Sequence, residues 1–452
     1  MQVTETLSEG LKREFKVVVT KDDLGTRLDS RLAEIKGRVQ LPGFRPGKVP
    51  VDHLKKVYGR SVMAETIEAV VREANAKIVT DNNYKLAMEP KVNLPEDQGE
   101  IDNVVSGRAD LAYTVALEVL PPIPLADFKT LKLERTVAEV TDAEVNEMLQ
   151  RIAEQSRPYT PKGEGGAVEN NDKVTISFTG TLDGVPFEGG SGEDVGVNVG
   201  SKTFIPGFEE QLVGMKAGET RAVTVRFPNN YLSEQLAGKE AVFQVSAKSI
   251  EAPGAVVIDE NLAKTVGMES LEKLREMVKE RLTRDHAAMT RTKLKRQLLD
   301  KLDESHKFTV PPSMVEEEFN AVWSQVTGDL DAQNSTFEQE GTTEEKARED
   351  YRKIADRRVR LGLVLAEIGD KNNIKVTDEE LTRAVVERAR QMPGQEQQVW
   401  DYYRKNPQAM AQLRAPLFEE KVVDFICELA TLTDKPVSRE ELFKQDDETQ
   451  AA

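Results

Sequence analysis

The chain has 452 residues, a formal net charge of −17, 31% charged residues and only 6% aromatic ones. That length suits about two to four domains, and the acidity excludes general nucleic-acid binding, which requires a broad basic surface to displace phosphate counterions. A single cysteine, Cys427, excludes an intrachain disulfide, and His53, His286 and His306 lie too far apart in sequence to suggest a zinc site, so no metal or other cofactor is expected.

Residues 1–115 are predicted to form a small α+β domain. "REFKVVVT" (Arg13 to Thr20) reads as a strand, and residues 22–37 and 51–80 carry helical spacing. "ADLAYTVALEVLP" alternates, with Leu111, Tyr113, Val115, Leu117 and Val119 on one strand face. Between the two helices stands "GFRPGKVP", residues 43–50. Its prolines each remove a backbone donor and fix φ, so the stretch forms neither a helix nor a central strand. It displays Phe44, Arg45 and Lys48. From Arg31 to Arg60 eight cations stand against Glu34 and Asp52, a local charge of +6 in an otherwise acidic chain. Such asymmetry points to a negatively charged partner for this lobe.

Residues 116–156 contain "LPPIPL" (Leu120 to Leu125), a stiff extended linker. They continue into a helix whose start, Thr141 with Glu144, has capping-box spacing. The phrase recurs in "VTDEEL" (376–381) and "VSREEL" (437–442), without a fixed period. Residues 157–252 change texture: "KVTISFTG" and "TRAVTVRF" alternate, Asp183-Gly184 suits a tight hairpin, and one short helix falls near 205–213. Residues 253–445 read as helices over 259–303, 312–327, 343–372, 377–392 and 407–431, and 446–452 as a disordered acidic tail.

No nucleophile elbow or phosphate-binding loop is present; Pro46 would remove an amide that a phosphate cradle needs. The N-terminus has no apolar signal core and no run nears the ~20 residues of a membrane span, so a cytoplasmic chain without membrane contact is expected.

The series "VTISFTG…DGVPFEGG…IPGFEEQLVGMKAGE…AVFQVSAKSIE" resembles the FK506-binding type of peptidyl-prolyl isomerase across nearly all of residues 157–252. The resemblance implies a non-covalent catalytic pocket at Phe178, Phe187, Ile205, Phe208, Tyr231 and Phe243. Phe208 would be its floor, where the family often has Trp; the loop after Tyr231 departs from single-domain relatives. The order of basic loop, isomerase domain and long helical region resembles the trigger factor family of bacterial ribosome-associated chaperones over the full length. That implies an α+β multidomain protein: an α+β ribosome-docking domain, the small β domain with one short helix, and an all-α chaperone body with arms. Residues Gly43, Phe44, Arg45, Pro46, Gly47 and Lys48 would anchor it to a ribosomal protein and rRNA near the tunnel exit. Apolar stripes including Met314, Phe319, Trp323, Leu361 and Leu365 would meet unfolded nascent polypeptides, with no ATP site needed. Three matters stay open in the sequence: a homodimer of the free chain, a free isomerase whose extra domains capture substrate, and an inactive assembly protein.

Overall fold

The computed structural model describes residues 1–36, 44, 49–95, 97–163, 165–228, 231, 233, 236–333 and 335–444. In the first unit, strands β1 (Gln2–Glu9) and β2 (Lys12–Val19) lead into helices α1 (Lys21–Lys36) and α2 (Val51–Asp81). Strand β3 (Lys91–Asn93), helix α3 (Gln98–Val105) and strand β4 (Leu111–Glu118) complete it. The sheet is antiparallel in the order β1-β2-β4-β3. The alternation read from β4 is the buried pattern: Leu111, Tyr113, Val115, Leu117 and Val119 all face the core. The first four meet Phe15 and Val17 of β2, the stripe Leu24-Leu28-Leu32 of α1, and Val62, Val70, Ala74 and Ile78 of α2. Burial pushes the Tyr113 phenol up to about 12.

The "LPPIPL" stretch is extended, but it is no free spacer. Leu120 and Ile123 pack with Phe308, Val310, Val359 and Leu363 of the helical region, because their apolar side chains gain more from that cover than from water. Strand β5 (Lys132–Val137) and helix α4 (Asp142–Gln155) follow. Thr141 caps α4 by accepting from the Glu144 amide. Glu144 turns its carboxylate to His286, 3.1 Å away, rather than closing the box on the Thr141 amide.

The second unit contains β6 (Tyr159–Pro161), β7 (Lys173–Leu182), β8 (Val185–Asn198), the short helix α5 (Phe208–Leu212), β9 (Thr220–Arg226) and β10 (Glu240–Pro253). The long strand β10 pairs with β7 along one edge and with β9 and β6 along the other, while β8 flanks β7. Asp183 and Gly184 make the β7–β8 turn with φ of 52° and 85°, the left-handed pair that a two-residue hairpin needs.

The helical body consists of α6 (Glu260–Thr265), α7 (Leu271–Ser305), α8 (Pro312–Ala332), α9 (Glu344–Lys371), α10 (Asp378–Arg390), α11 (Glu396–Lys405) and α12 (Pro407–Leu429). Strand β11 (Thr431–Pro436) and the short helix α13 (Arg439–Phe443) close the described chain. The single helix expected over 259–303 is two. Gly267, at φ 81°, ends α6, and Ser270 caps a new start for α7. The N-terminal half of α7 packs Leu274, Val278 and Leu282 on Val145 and Leu149 of α4. Its C-terminal half packs Leu298 and Leu302 on Leu133 of β5, Val364 and Ile368 of α9, and Val422 and Ile426 of α12. Parallel pairing of β11 with β5, with Arg135 held by Asp434 at 2.6 and 2.8 Å, ties residues 132–137 to the far end of the chain. Among the described residues, only at Thr377 do both halves of the capping box close. There Glu380 also takes the Lys421 ammonium of α12 at 2.8 Å, which together hold its carboxyl down at about 2. His286 and His306 are buried packing residues, and Cys427 packs at the edge of the α7–α9–α12 core, where burial raises its thiol pKa.

Candidate functional site

The second unit encloses a pocket of ≈ 550 Å³. All six residues that the resemblance singled out, Phe178, Phe187, Ile205, Phe208, Tyr231 and Phe243, line it. Strand β7 supplies Phe178, β8 supplies Phe187 and β10 supplies Phe243, while Phe208 opens α5 from below. Phe208 and Phe243 are fully buried and make the floor, with centroids 5.6 Å apart at 88°. Phe178 meets both edge-on, at 6.3 and 5.9 Å, and Phe187 meets Phe243 at 6.0 Å and 87°. These T-shaped contacts are the arrangement that ring quadrupoles favour. Tyr231 is the exposed rim and packs on Phe227 at 4.7 Å.

Phe204, Phe227 and Leu236 line the pocket too, and reading the sequence missed them. Phe204 lies four residues before Phe208 and stacks on it at 5.4 Å and 17°. That spacing within "TFIPGF" was the available signal. Among the described residues that line it, no side chain is a carboxylate, imidazole, amine or thiol. What the arrangement offers is an apolar, ring-walled cavity for an apolar ring.

Two glycines make room for these rings. Gly180 sits directly across the ladder from Phe243, and Gly192 across from Phe178. A Cβ at Gly180 would lie 2.5 and 2.8 Å from Phe243 ring carbons, and one at Gly192 would lie 2.8 Å from the Phe178 ring. Each ring therefore lies over its own cross-strand glycine. Gly180→Ala is expected to displace Phe243, destabilise the unit by about 1–3 kcal/mol and lower turnover of an Xaa–Pro peptide several-fold. Thermal unfolding and a peptide assay read both, and parental values in the two would show that the ring has space to spare.

Of the loop residues, Gly43, Arg45, Pro46, Gly47 and Lys48 lie outside the described residues. Phe44 is 38% exposed, with its ring 5.2 Å from that of His53 on α2. The surrounding charge is smaller than the sequence count suggests. Arg31 pairs with Glu34 at 2.7 Å, Lys55 with Asp29 at 3.2 Å and Arg60 with Asp102 at 2.5 Å; two of these carboxylates lie outside the 31–60 window.

In the helical body, Phe319 is 3% exposed, and Leu361 and Leu365 belong to the α7–α9–α12 core. These three build the body, which corrects their expected place on an open client surface. Apolar spacing marks a helix face but not what covers it. Leu361 and Leu365 do floor a shallow groove of ≈ 340 Å³, rimmed by Arg357, Arg358 and Glu419. Met314 and Trp323 are half-buried. Trp323 stacks between Phe319 at 5.8 Å and Phe337 at 5.2 Å, beneath the Arg348 guanidinium at 4.4 Å. Among the described residues no helix is long and apolar enough to cross a membrane.

Comparison with known proteins matches every unit in order. Residues 1–152 fit the family model of bacterial trigger factor protein, and 165–248 that of FKBP-type peptidyl-prolyl cis-trans isomerase. Residues 270–428 fit the model of the trigger factor C-terminus. The chain is 59% identical over 452 residues to the trigger factor of Afipia carboxidovorans and 60% over 451 residues to that of Azorhizobium caulinodans, each covered from end to end. A solved structure of the trigger factor chaperone, described in connection with promiscuous substrate recognition in folding and assembly, has the same fold. It superposes with a TM-score of 0.56 at 20% identity, over 95% of this chain and 99% of that one. With its three units matched in sequence over their whole length, the chain belongs to the trigger factor family and carries an FKBP-type isomerase domain.

Proposed function

We propose that the chain is an ATP-independent cytoplasmic chaperone that docks near the ribosomal tunnel exit through its 43–48 loop, holds emerging polypeptides on its helical body and isomerises their Xaa–Pro bonds. The observation that carries this reading is the aromatic pocket, set in one chain between a basic, aromatic-tipped loop and a helical body with shallow grooves. On the ribosome the anchor would meet rRNA phosphates and a carboxylate of a ribosomal protein. Off it, a second copy of the chain is the natural occupant of the same grooves.

The pocket chemistry follows from the amide. Its resonance imposes a barrier of about 18–20 kcal/mol, so an Xaa–Pro bond turns over in tens to hundreds of seconds unaided. In the twisted transition state that resonance, and with it the dipole, is reduced. A dry cavity of Phe178, Phe187, Phe208 and Phe243 grips the proline ring and withholds the water that favours the polar planar amide. The twisted form is then bound better than either ground state. No proton transfer is required, in keeping with the absence of acids and bases from the described lining residues.

For client holding, Trp323 and Met314 at the α8–α9 surface are the proposed contacts. The chain's only tryptophans are Trp323 and Trp400, so Trp400→Phe leaves Trp323 as sole reporter. Adding an unfolded, tryptophan-free polypeptide without ATP is expected to shift its emission and to suppress client light scattering together. Suppressed scattering with unchanged emission would place client binding elsewhere.

A further inference from the structure

Between β8 and α5 the chain runs through residues 199–207 without regular structure, yet this segment carries Phe204 and Ile205, one wall of the isomerase pocket. Its shape is set by one buried side chain. Glu209, 4% exposed, lies one residue after the floor ring Phe208. Its Oε2 accepts from the amides of Gly200 at 2.8 Å and Lys202 at 3.0 Å. Oε1 accepts from the amides of Thr203 at 2.9 Å and Phe204 at 3.1 Å, and from the Ser201 hydroxyl at 3.1 Å. Gly200 and Lys202 have φ of 95° and 57°, the left-handed turns that point successive amides into one concave, anion-binding nest. The last of those amides belongs to Phe204, whose ring stacks on Phe208.

We infer that Glu209 is the positioning residue of the isomerase pocket: its carboxylate gathers the 200–204 amides and so holds the Phe204–Ile205 wall against the floor before substrate arrives. It touches no substrate; it acts through the wall. Gln in its place fills the same space but turns an NH2 toward amides that also donate, leaving buried donors unpaired. Burial on its own pushes the Glu209 carboxyl up. The amides of Lys202, Phe204 and Gly200, with the Ser201 hydroxyl, outweigh it and hold the group below its ordinary range. A depressed carboxyl contributes its stabilisation fully above the unfolded value and loses it as pH falls through the folded one. The wall therefore stays locked at neutral pH and loosens only in acid. Nearby charges do not compete. Lys202 and Glu210, its charged neighbours in the chain, are exposed. Arg221 of β9, packed beside α5, is committed to the carbonyls of Gln211 and Val213 and to Glu219.

The inference rests on the isomerase reading, and the test separates the two. Full-length parent, Glu209→Gln and Ser201→Ala are assayed on a short Xaa–Pro peptide from pH 2 to 8, with kcat and KM resolved and circular dichroism followed in parallel. The parent should be flat at neutral pH and lose activity in acid ahead of any dichroism change. Glu209→Gln should be at least tenfold lower in kcat/KM at pH 7, mainly through KM, and should lack that acid limb. Ser201→Ala, which keeps all four amide bonds, should stay within threefold of the parent. A folded Glu209→Gln within twofold of the parent, or one with the parent's acid limb, overturns the inference. Should Glu209→Gln not fold, the parent decides: activity and dichroism lost together in acid overturn it, and activity lost first supports it. A parent inactive at pH 7 overturns the isomerase reading itself, and the inference with it.

Discussion

Phe208→Ala is expected to lower kcat/KM on a short Xaa–Pro peptide ten- to a hundredfold, a loss of about 1.4–2.8 kcal/mol of transition-state binding. Phe208 is the one ring in contact with Phe178, Phe204 and Phe243 at once. Its removal opens the floor and admits water where the twisted amide must be favoured. The same change deletes a fully buried aromatic side chain, which costs about 3–5 kcal/mol of stability. That is a large share of what a domain possesses, so the assay belongs well below the unfolding temperature and beside Phe208→Leu. Leucine retains most of the apolar volume but not the ring face. If Phe208→Leu is folded and as impaired as Phe208→Ala, the ring itself matters. If both are folded and within twofold of the parent, Phe208 is core and the pocket lies elsewhere. The tryptophan common at this position in the family gives a third variant. Phe208→Trp would narrow the floor and lower activity on bulky residues around proline more than on small ones.

How much of this was legible depended on whether a residue's partners were local. Alternation along 111–119 gave the buried face of β4 because one side of that strand is covered and the other is not. Strand β1 escaped notice because all eight of its residues are exposed. With no face to bury it shows no period, and it exists only by pairing with β2. The β5–β11 pair was equally silent, since its two halves stand 299 residues apart at the Arg135–Asp434 contact. Helix α11, "EQQVWDYYRK", buries nothing and left no core stripe to detect. In the pocket, family resemblance supplied six of the residues that line it. Phe204 and Glu209 stand within the most specific stretch or just before it, but their roles depend on a loop whose conformation no periodicity describes. On the helices, spacing identified apolar faces at 314–323 and 361–365 correctly as faces. Which of them a neighbouring helix covers is a tertiary fact, and Phe319, Leu361 and Leu365 proved to be covered.

The triple replacement of Phe44, Arg45 and Lys48 by alanine should abolish co-sedimentation with empty bacterial ribosomes while leaving peptide isomerisation unchanged. Hydrogen bonds to charged groups contribute about 1.5–3 kcal/mol each, and an apolar ring buried at the contact adds about 1.5–3. Losing all three therefore removes at least about 4.5 kcal/mol, more than a thousandfold in affinity. These residues carry the effect because part of the neighbouring charge is spent: Arg31, Lys55 and Arg60 are already paired within the domain. Phe44, by contrast, is partly exposed, with its ring against that of His53. Salt separates the two kinds of partner. Each cation on an rRNA phosphate should steepen the salt dependence of binding by about one unit in log–log slope, whereas a carboxylate contact releases no condensed counterions and changes it less. Arg45→Ala and Lys48→Ala measured separately across salt would thus say which cation faces RNA and which faces protein. Undiminished binding of the triple variant would move the anchor to another surface and leave the pocket as the chain's best-supported activity. Binding lost with a flat parental salt dependence would retain the loop as anchor but make its partner a protein alone.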